Sequence, residues 1–269
     1  MTETDLRVER DTDGIGRIVL DRPEAKNALT IGMRDGIIQA IREFRADPLV
    51  RAVLITGEGD AFCAGMDLSA STVSQAGKPG FQPRTTSEAL RAGVQTLIRE
   101  LWELDKPTVA AVNGTAVGPG AHIALACDFV FVHPRTRFIW SFAKWGLVAD
   151  AGGAYLLPRL VGLPRAKAML MLGDGAVGAE AVDLGLAYQC VDDPEKLLPQ
   201  ALAVAHKLAA GPTRSLGLSK RLLNTSFESD LAMSLELEAH FQAIATSSPD
   251  LVEGMAAFRD KRDAKFTGE

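Results

Sequence analysis

Apolar positions fall in short dense blocks along the first half of the chain and at helical intervals later on. IGRIVLDRP, from Ile15 to Pro23, alternates and then stops at a proline, which predicts a strand ending in a loop. From Thr30 to Asp47, the positions Met33, Ile37, Ile38, Ile41 and Phe44 recur at helical spacing, and Thr30 is a fitting N-cap. RAVLITGEG, Arg51 to Gly59, is a continuous apolar run of strand length that halts at glycines. Strand, helix, strand in this order predicts a crossover unit and a buried, mostly parallel sheet. The stretch from Ser69 to Glu88 is polar, rich in Gly, Pro, Ser and Thr and without a period, and it reads as a surface loop or lid. A helix from Ser87 to Leu104 leads into KPTVAAVNG, Lys106 to Gly114, a second buried strand. After the strand DFVFVHP the pattern turns helical, and it stays so from Pro164 onward. No repeat occurs at solenoid spacing. No linker forces a boundary, and the shift in character near Gly211 divides the chain best, into a core over 1–210 and a helical region over 211–269.

The chain of 269 residues is 47% hydrophobic, which is ordinary for a folded domain with a sizeable core. Its net charge of −5 argues against a general nucleic-acid surface and leaves room for a local pocket that takes a small anion. Cys63, Cys127 and Cys190 are an odd number in apolar contexts with no metal-like pairing, and all three read as packing residues. The first residues are charged where a signal peptide is apolar, and no run approaches the roughly 18 apolar residues of a membrane span. These features predict a cytoplasmic protein with no metal and no membrane or nucleic-acid partner.

Two turns share one design, an apolar strand followed by a glycine turn and a segment able to open a helix. They are AFCAGMDL, Ala61 to Leu68, and AVGPGAHI, Ala116 to Ile123. Such turns can aim backbone N–H groups and a helix dipole at a negative atom, and glycine also serves simply to permit a tight turn. Neither is a phosphate loop or a dinucleotide fingerprint. A third turn, LVADAGGAY from Leu147 to Tyr155, adds a carboxylate, Asp150, beside two glycines.

These stretches resemble the crotonase, or enoyl-CoA hydratase/isomerase, superfamily. The resemblance runs from LDRPEAKNAL (Leu20 to Leu29) through GEGDAFCAGMDL, KPTVAAVNGTAVGPGAHIALACD and GLVADAGGAYLLPRLVG to GMAAFRDKRDAKF (Gly254 to Phe266). It implies an α/β fold, a spiral of repeated ββα units holding the acyl-CoA site, and a helical C-terminal region that builds a homotrimer or a dimer of trimers. It also implies a coenzyme A thioester as substrate, no further cofactor, and a shared mechanism in which two backbone N–H groups hold the thioester oxygen as an enolate forms.

Residue by residue, the resemblance assigns one oxyanion N–H to Met66, after Gly65. Ala64, Asp67 and Leu68 fall where the family cradles adenine, and Arg22, Ala25 and Lys26 where it meets pantetheine and phosphates. Phe258 and Lys261 resemble positions that complete the coenzyme pocket, from the same subunit or an adjacent one. The second oxyanion donor is altered: the expected residue is Pro119, which has no N–H. Proline suits the first turn of a helix, so a purely structural reason exists, and the N–H of Gly120 is the next donor in line.

The hydratases of this family use two glutamates, and here those positions hold His122 and Phe142. No glutamate lies between Glu103 and Glu180, and the acids in that interval are Asp105, Asp128, Asp150 and Asp174. Asp128 and Asp174 read as helix-end and turn residues, which leaves Asp150. Dienoyl-CoA isomerases and the ring-epoxide isomerase of phenylacetate breakdown are similar here, with an Asp just before the Gly pair. A single carboxylate suits an isomerase, which takes a proton from one carbon and returns it to another. Burial among Leu147, Val148 and Ala151 is expected to raise its pKa. Asp150 also reads as a plain turn residue, and His122 as either an acid/base group or a structural histidine. Three functions stay open at this point: an acyl-CoA isomerase in fatty acid or related acyl-CoA metabolism, a hydratase (a lyase), and an acyl-CoA-binding homologue without catalysis.

Overall fold

The computed structural model describes residues 5–68, 78 and 81–269. Six strands form the main sheet in the order β1 (Leu6–Arg10), β2 (Ile15–Leu20), β3 (Ala52–Gly57), β5 (Thr108–Ala111), β7 (Phe129–Val132), β10 (Gln189–Cys190). The first pair is antiparallel and the rest are parallel. A smaller sheet runs β4 (Ala61–Cys63), β6 (Thr115–Val117), β8 (Arg137–Ile139), β9 (Ala176–Val177). Neighbouring positions in each sheet follow chain order, so the architecture is a spiral. A main-sheet strand is followed by a strand of the small sheet and then by helix: β3, β4 and α2–α3 (Pro83–Ala92, Val94–Trp102), then β5, β6 and α4 (Pro119–Leu125), then β7, β8 and α5 (Gly153–Val161). This is the expected ββα repeat.

Two-sided burial explains the continuous apolar strands, because a parallel sheet covered on both faces has no polar face to show. Along β3, Val53 and Ile55 pack with α1 (Ile31–Ala46) and α3, while Ala52 and Leu54 face α8 (Leu197–Ala209) through Ala201, Ala205 and Leu197. Thr30 caps α1 as expected, its hydroxyl accepting from the N–H of Met33 at 3.1 Å.

Three local expectations change. The helix drawn over Ser87 to Leu104 is two helices that meet at Gly93, whose φ of −102° and ψ of −109° lie outside the helical region. The polar stretch Ser69 to Glu88 lies partly outside the described residues, and its end is helical because Pro83 opens α2 at a position where no N–H is needed. The stretch beyond Pro164 is not helical throughout, since β9 and β10 close the edges of the two sheets. α6 (Leu163–Lys167) runs into a π-helical turn before β9, and α7 (Ala179–Asp183) separates β9 from β10.

The C-terminal helices α9 (Thr213–Thr225), α10 (Leu231–Thr246) and α11 (Pro249–Asp260) are tied to the core by buried polar contacts. The Lys220 ammonium lies 3.0 Å from Asp128 and donates to the backbone carbonyls of Leu101 and Lys106. Arg51 donates to the carbonyl of Phe266 at 3.0 Å. A cleft of about 800 Å³ lies among α9, α10 and α11. Cys63 and Cys127 are buried and unbridged, and Cys190 is half-buried. Among the described residues no helix is long and apolar enough to cross a membrane.

Candidate active site

The first glycine turn is fixed by the segment that precedes α1. Asn27 is fully buried with φ at 55°, a left-handed conformation that asparagine tolerates better than most residues. Its side-chain oxygen accepts from the N–H of Arg22 at 2.8 Å, and its amide donates to the carbonyls of Glu58 at 2.9 Å and Ala61 at 2.7 Å. Every polar group of this buried side chain is thereby used. The bend brings the carbonyl of Lys26 to the N–H of Ala64 at 2.9 Å. Next, the Leu29 N–H donates to the carbonyl of Gly65 at 2.7 Å, and the Asp67 N–H donates to the carbonyl of Leu29 at 3.0 Å. This bridge leaves the N–H of Met66 out of the pairing. Arg22 is held by the Asp67 carboxylate at 2.7 Å, which raises the guanidinium pKa further, and it also donates to the carbonyl of Ala28. Arg22, Ala25, Lys26, Ala64, Met66, Asp67 and Leu68 therefore gather on one rim, with Lys26 and Leu68 exposed.

The second turn packs directly on the first. A Cβ on Gly120 would lie 2.5 Å from the carbonyl oxygen of Cys63, and one on Gly65, where φ is +91°, would lie 3.0 Å from that of Val117. Only glycine allows β4 and the start of α4 to approach this closely. Pro119 occupies the first helical position, as its fixed φ favours, and brings no donor. The N–H of His122 donates to the carbonyl of Gly118 at 3.0 Å, so the helix itself leaves the N–H groups of Gly120 and Ala121 unused. All seven residues of α4 are buried.

One turn into α4, His122 is completely buried. Its Nε2 accepts from the indole N–H of Trp140 at 3.0 Å, and its ring stacks on Phe142 at a centroid distance of 5.8 Å and an interplanar angle of 8°. Since a tryptophan N–H only donates, Nε2 carries no proton and the neutral ring holds its hydrogen on Nδ1. Burial pushes the imidazole pKa down to about 4, partly opposed by the backbone carbonyl of Asp150. The residue is neutral at physiological pH.

The other wall is the Asp150 turn. Ala151 has φ of +46° and is fully buried, and Gly152 follows with φ of +76°. A left-handed alanine costs roughly 1–2 kcal/mol, so the surroundings hold this conformation in place. The N–H of Gly153 closes the turn by donating to the carbonyl of Asp150 at 3.0 Å. A Cβ on Gly153 would sit 2.2 Å from Cε1 of His122, so α5 starts flat against the imidazole. The Asp150 carboxyl is half-buried, its Oδ1 has no hydrogen-bond partner, and burial pushes its pKa up to about 6. The cause differs from the expectation: Leu147 is exposed and Val148 is 87% exposed, and of the three expected neighbours only Ala151 is buried. The burial comes with the turn at Ala151, which brings Gly153 against His122 of α4, while Leu147 and Val148 before it are exposed.

Phe258 and Lys261 lie elsewhere. Phe258 is 88% exposed beside the cleft among α9, α10 and α11, a cleft lined by none of Met66, Gly120, His122 and Asp150. Lys261 caps α11 with φ of 53°. Asn27, Trp140 and Gly153 are the site residues that sequence reasoning missed. Nothing in FIWSF signals that the Trp140 indole meets His122, whereas the asparagine in AKNAL, a left-handed former between an apolar strand and a helix, was a readable sign.

The family model for enoyl-CoA hydratase/isomerase matches residues 10–269. The chain belongs to that family. Among curated members it is 37% identical to 1,2-epoxyphenylacetyl-CoA isomerase of Escherichia coli over 95% of this chain and 96% of that one. It is 35% identical to a probable enoyl-CoA hydratase of Rhodobacter capsulatus over 96% of each chain. A putative enoyl-CoA hydratase of Streptomyces coelicolor superposes with a TM-score of 0.92 at 35% identity, covering all of this chain and 96% of that one. Enoyl-CoA hydratase/isomerase relatives thus include both hydratase and isomerase names at similar identity.

Proposed function

We propose that this family member isomerises a coenzyme A thioester with Asp150 as its single base. The carboxylate takes a proton from the carbon beside the thioester carbonyl, the resulting enolate oxygen rests on the N–H groups of Met66 and Gly120, and the same proton returns to another carbon. The electrons end in a shifted double bond, or on the oxygen of an opened epoxide, which then takes the proton in place of carbon, and Asp150 is regenerated. Proton removal and return are redox-neutral and need no activated water, so coenzyme A within the substrate is the only coenzyme the step uses. The observation that carries this reading is the Asp150 carboxyl itself, half-buried, unpartnered at Oδ1 and raised to about 6, where a base is both ionised at neutral pH and able to hold a proton briefly.

His122 and Phe142, where the resemblance places the glutamates of hydratases, support the same reading. A neutral imidazole whose free lone pair already accepts from Trp140 is not placed to activate water. In this reading Arg22, Ala25, Lys26, Ala64, Asp67 and Leu68 receive the coenzyme. Phe258 and Lys261, remote from that rim within one chain, serve a neighbouring subunit of a homotrimer or a dimer of trimers. Pro119 favours a second reading, an acyl-CoA-binding protein with a weakened oxyanion hole, since one lost donor costs about 3 kcal/mol of transition-state stabilisation.

Purified protein assayed on 3-enoyl-CoA, 2-enoyl-CoA and ring-epoxide thioesters, beside Asp150→Asn, tests the choice. The expected result is isomerisation that falls at least about a hundredfold in the variant. Hydration of 2-enoyl-CoA at a rate rivalling isomerisation overturns the isomerase assignment. Binding without turnover establishes the second reading.

A further inference from the structure

We propose that His122, oriented by Trp140, is a positioning residue that sets the turn carrying the Asp150 base. This inference rests on Asp150 being the base. It follows from how four features converge on one imidazole ring.

The indole N–H of Trp140, a residue fully buried, donates to Nε2 at 3.0 Å and fixes both the tautomer and the rotation of the ring. Phe142 stacks on one side of that ring. Gly153 lies against its edge with no space for a Cβ. The hydrogen that the tautomer places on Nδ1 has no hydrogen-bond partner among the described residues, and the backbone carbonyl of Asp150 is the group that favours a proton on this ring. That carbonyl also accepts from Gly153, closing the turn. A ring locked by Trp140 thus presents its Cε1 edge to Gly153, whose N–H closes the turn on the Asp150 carbonyl around the left-handed Ala151. Backbone conformations as uncommon as that of Ala151 persist where neighbours over-determine them, and here the neighbour is the imidazole. His122 does not touch the reacting atoms in this account. It acts through the place it gives Asp150.

Glutamine and asparagine separate the two nitrogens of the ring. His122→Gln keeps an acceptor near Nε2 for Trp140 and loses the donor at Nδ1, whereas His122→Asn keeps an N–H near Nδ1. The test measures kcat and KM for the isomerised thioester in both variants, in Trp140→Phe, and in His122→Gln combined with Asp150→Asn. Thermal melts confirm that each variant is folded. We expect His122→Gln and Trp140→Phe to lower kcat about tenfold to a hundredfold, the effect of a displaced reacting group, with KM within about twofold of wild type. His122→Asn, which gives up the Nε2 acceptor and the ring edge against Gly153, is expected to lower kcat at least as far as Trp140→Phe. In the Asp150→Asn background His122→Gln is expected to lower the residual rate less than about twofold, because the residue acts through Asp150. Imidazole nitrogen-15 spectra are expected to show the Nδ1–H tautomer in wild type and a mixture in Trp140→Phe. Equal losses from His122→Gln in both backgrounds, or wild-type kcat in His122→Gln while Asp150→Asn is inactive, overturn the positioning role and leave the base standing. Full turnover by Asp150→Asn overturns both. If His122→Gln does not fold, unchanged kcat in Trp140→Phe overturns the proposal.

Discussion

Replacing Asp150 by asparagine is expected to remove turnover and, at the same time, to remove a pH-dependent cost to the fold. The carboxyl pKa stands at about 6 in the folded protein against an ordinary 3.8, the cause being burial. A displacement of about two units corresponds to about 3 kcal/mol. The native state holds the proton more tightly than the unfolded chain, so this group favours folding fully below pH 3.8 and the advantage is lost as pH rises through about 6. Asparagine does not titrate. Any fixed cost of burying its amide cancels when the variant is compared with wild type at two pH values. Between pH 4.5 and pH 8 wild type is therefore expected to lose about 2 kcal/mol of stability relative to Asp150→Asn. Urea unfolding of both proteins at the two pH values reads the difference directly. The same pKa predicts an acid limb in the rate, with turnover at pH 5 about a tenth of its plateau. Parallel stability profiles for the two proteins refute the enclosure of Asp150, and a variant that loses ground as pH rises refutes the sign.

Two further substitutions probe the scaffold. Gly153→Ala drives a methyl to 2.2 Å from the His122 ring, so either the imidazole or the start of α5 must move; a loss of about 1–3 kcal/mol is expected in thermal melts, and an unchanged melting temperature contradicts the contact. Asn27→Ala strips partners from the Arg22 N–H and from the carbonyls of Glu58 and Ala61, and at least about 2 kcal/mol should disappear from the urea midpoint, with a raised KM for the thioester as the Met66 rim loosens. A midpoint that stays in place contradicts the role of these bonds in holding the turn.

Much of the main sheet was readable because its strands are buried on both faces and long enough to show it: β2, β3, β5 and β7 all fall inside predicted runs. The small sheet was less so: β4 falls in the apolar start of AFCAGMDL, but β6, β8 and β9 have only two or three residues each, too few to carry a period. The helix break at Gly93 was missed because one glycine in an otherwise periodic stretch does not by itself announce a stop. At the site, the glycine turns and Asp150 stood out by residue type, whereas the imidazole, indole and flat glycine meet only through folding, across 31 positions from His122 to Gly153. The source of Asp150's burial was misjudged for a related reason. Apolar neighbours in sequence are not neighbours in space here, since Leu147 and Val148 are exposed.

The contact between His122 and Gly153 also bears on how such a site changes over evolutionary time. A glutamate at 122 alone would leave the space beside Gly153 unfilled and the stack with Phe142 unmade, while a glutamate at 142 alone would set a carboxyl against a completely buried imidazole. Position 122 is therefore coupled to 140, 142 and 153 through one ring, so the effect of an exchange at any one of them depends on the residues at the other three.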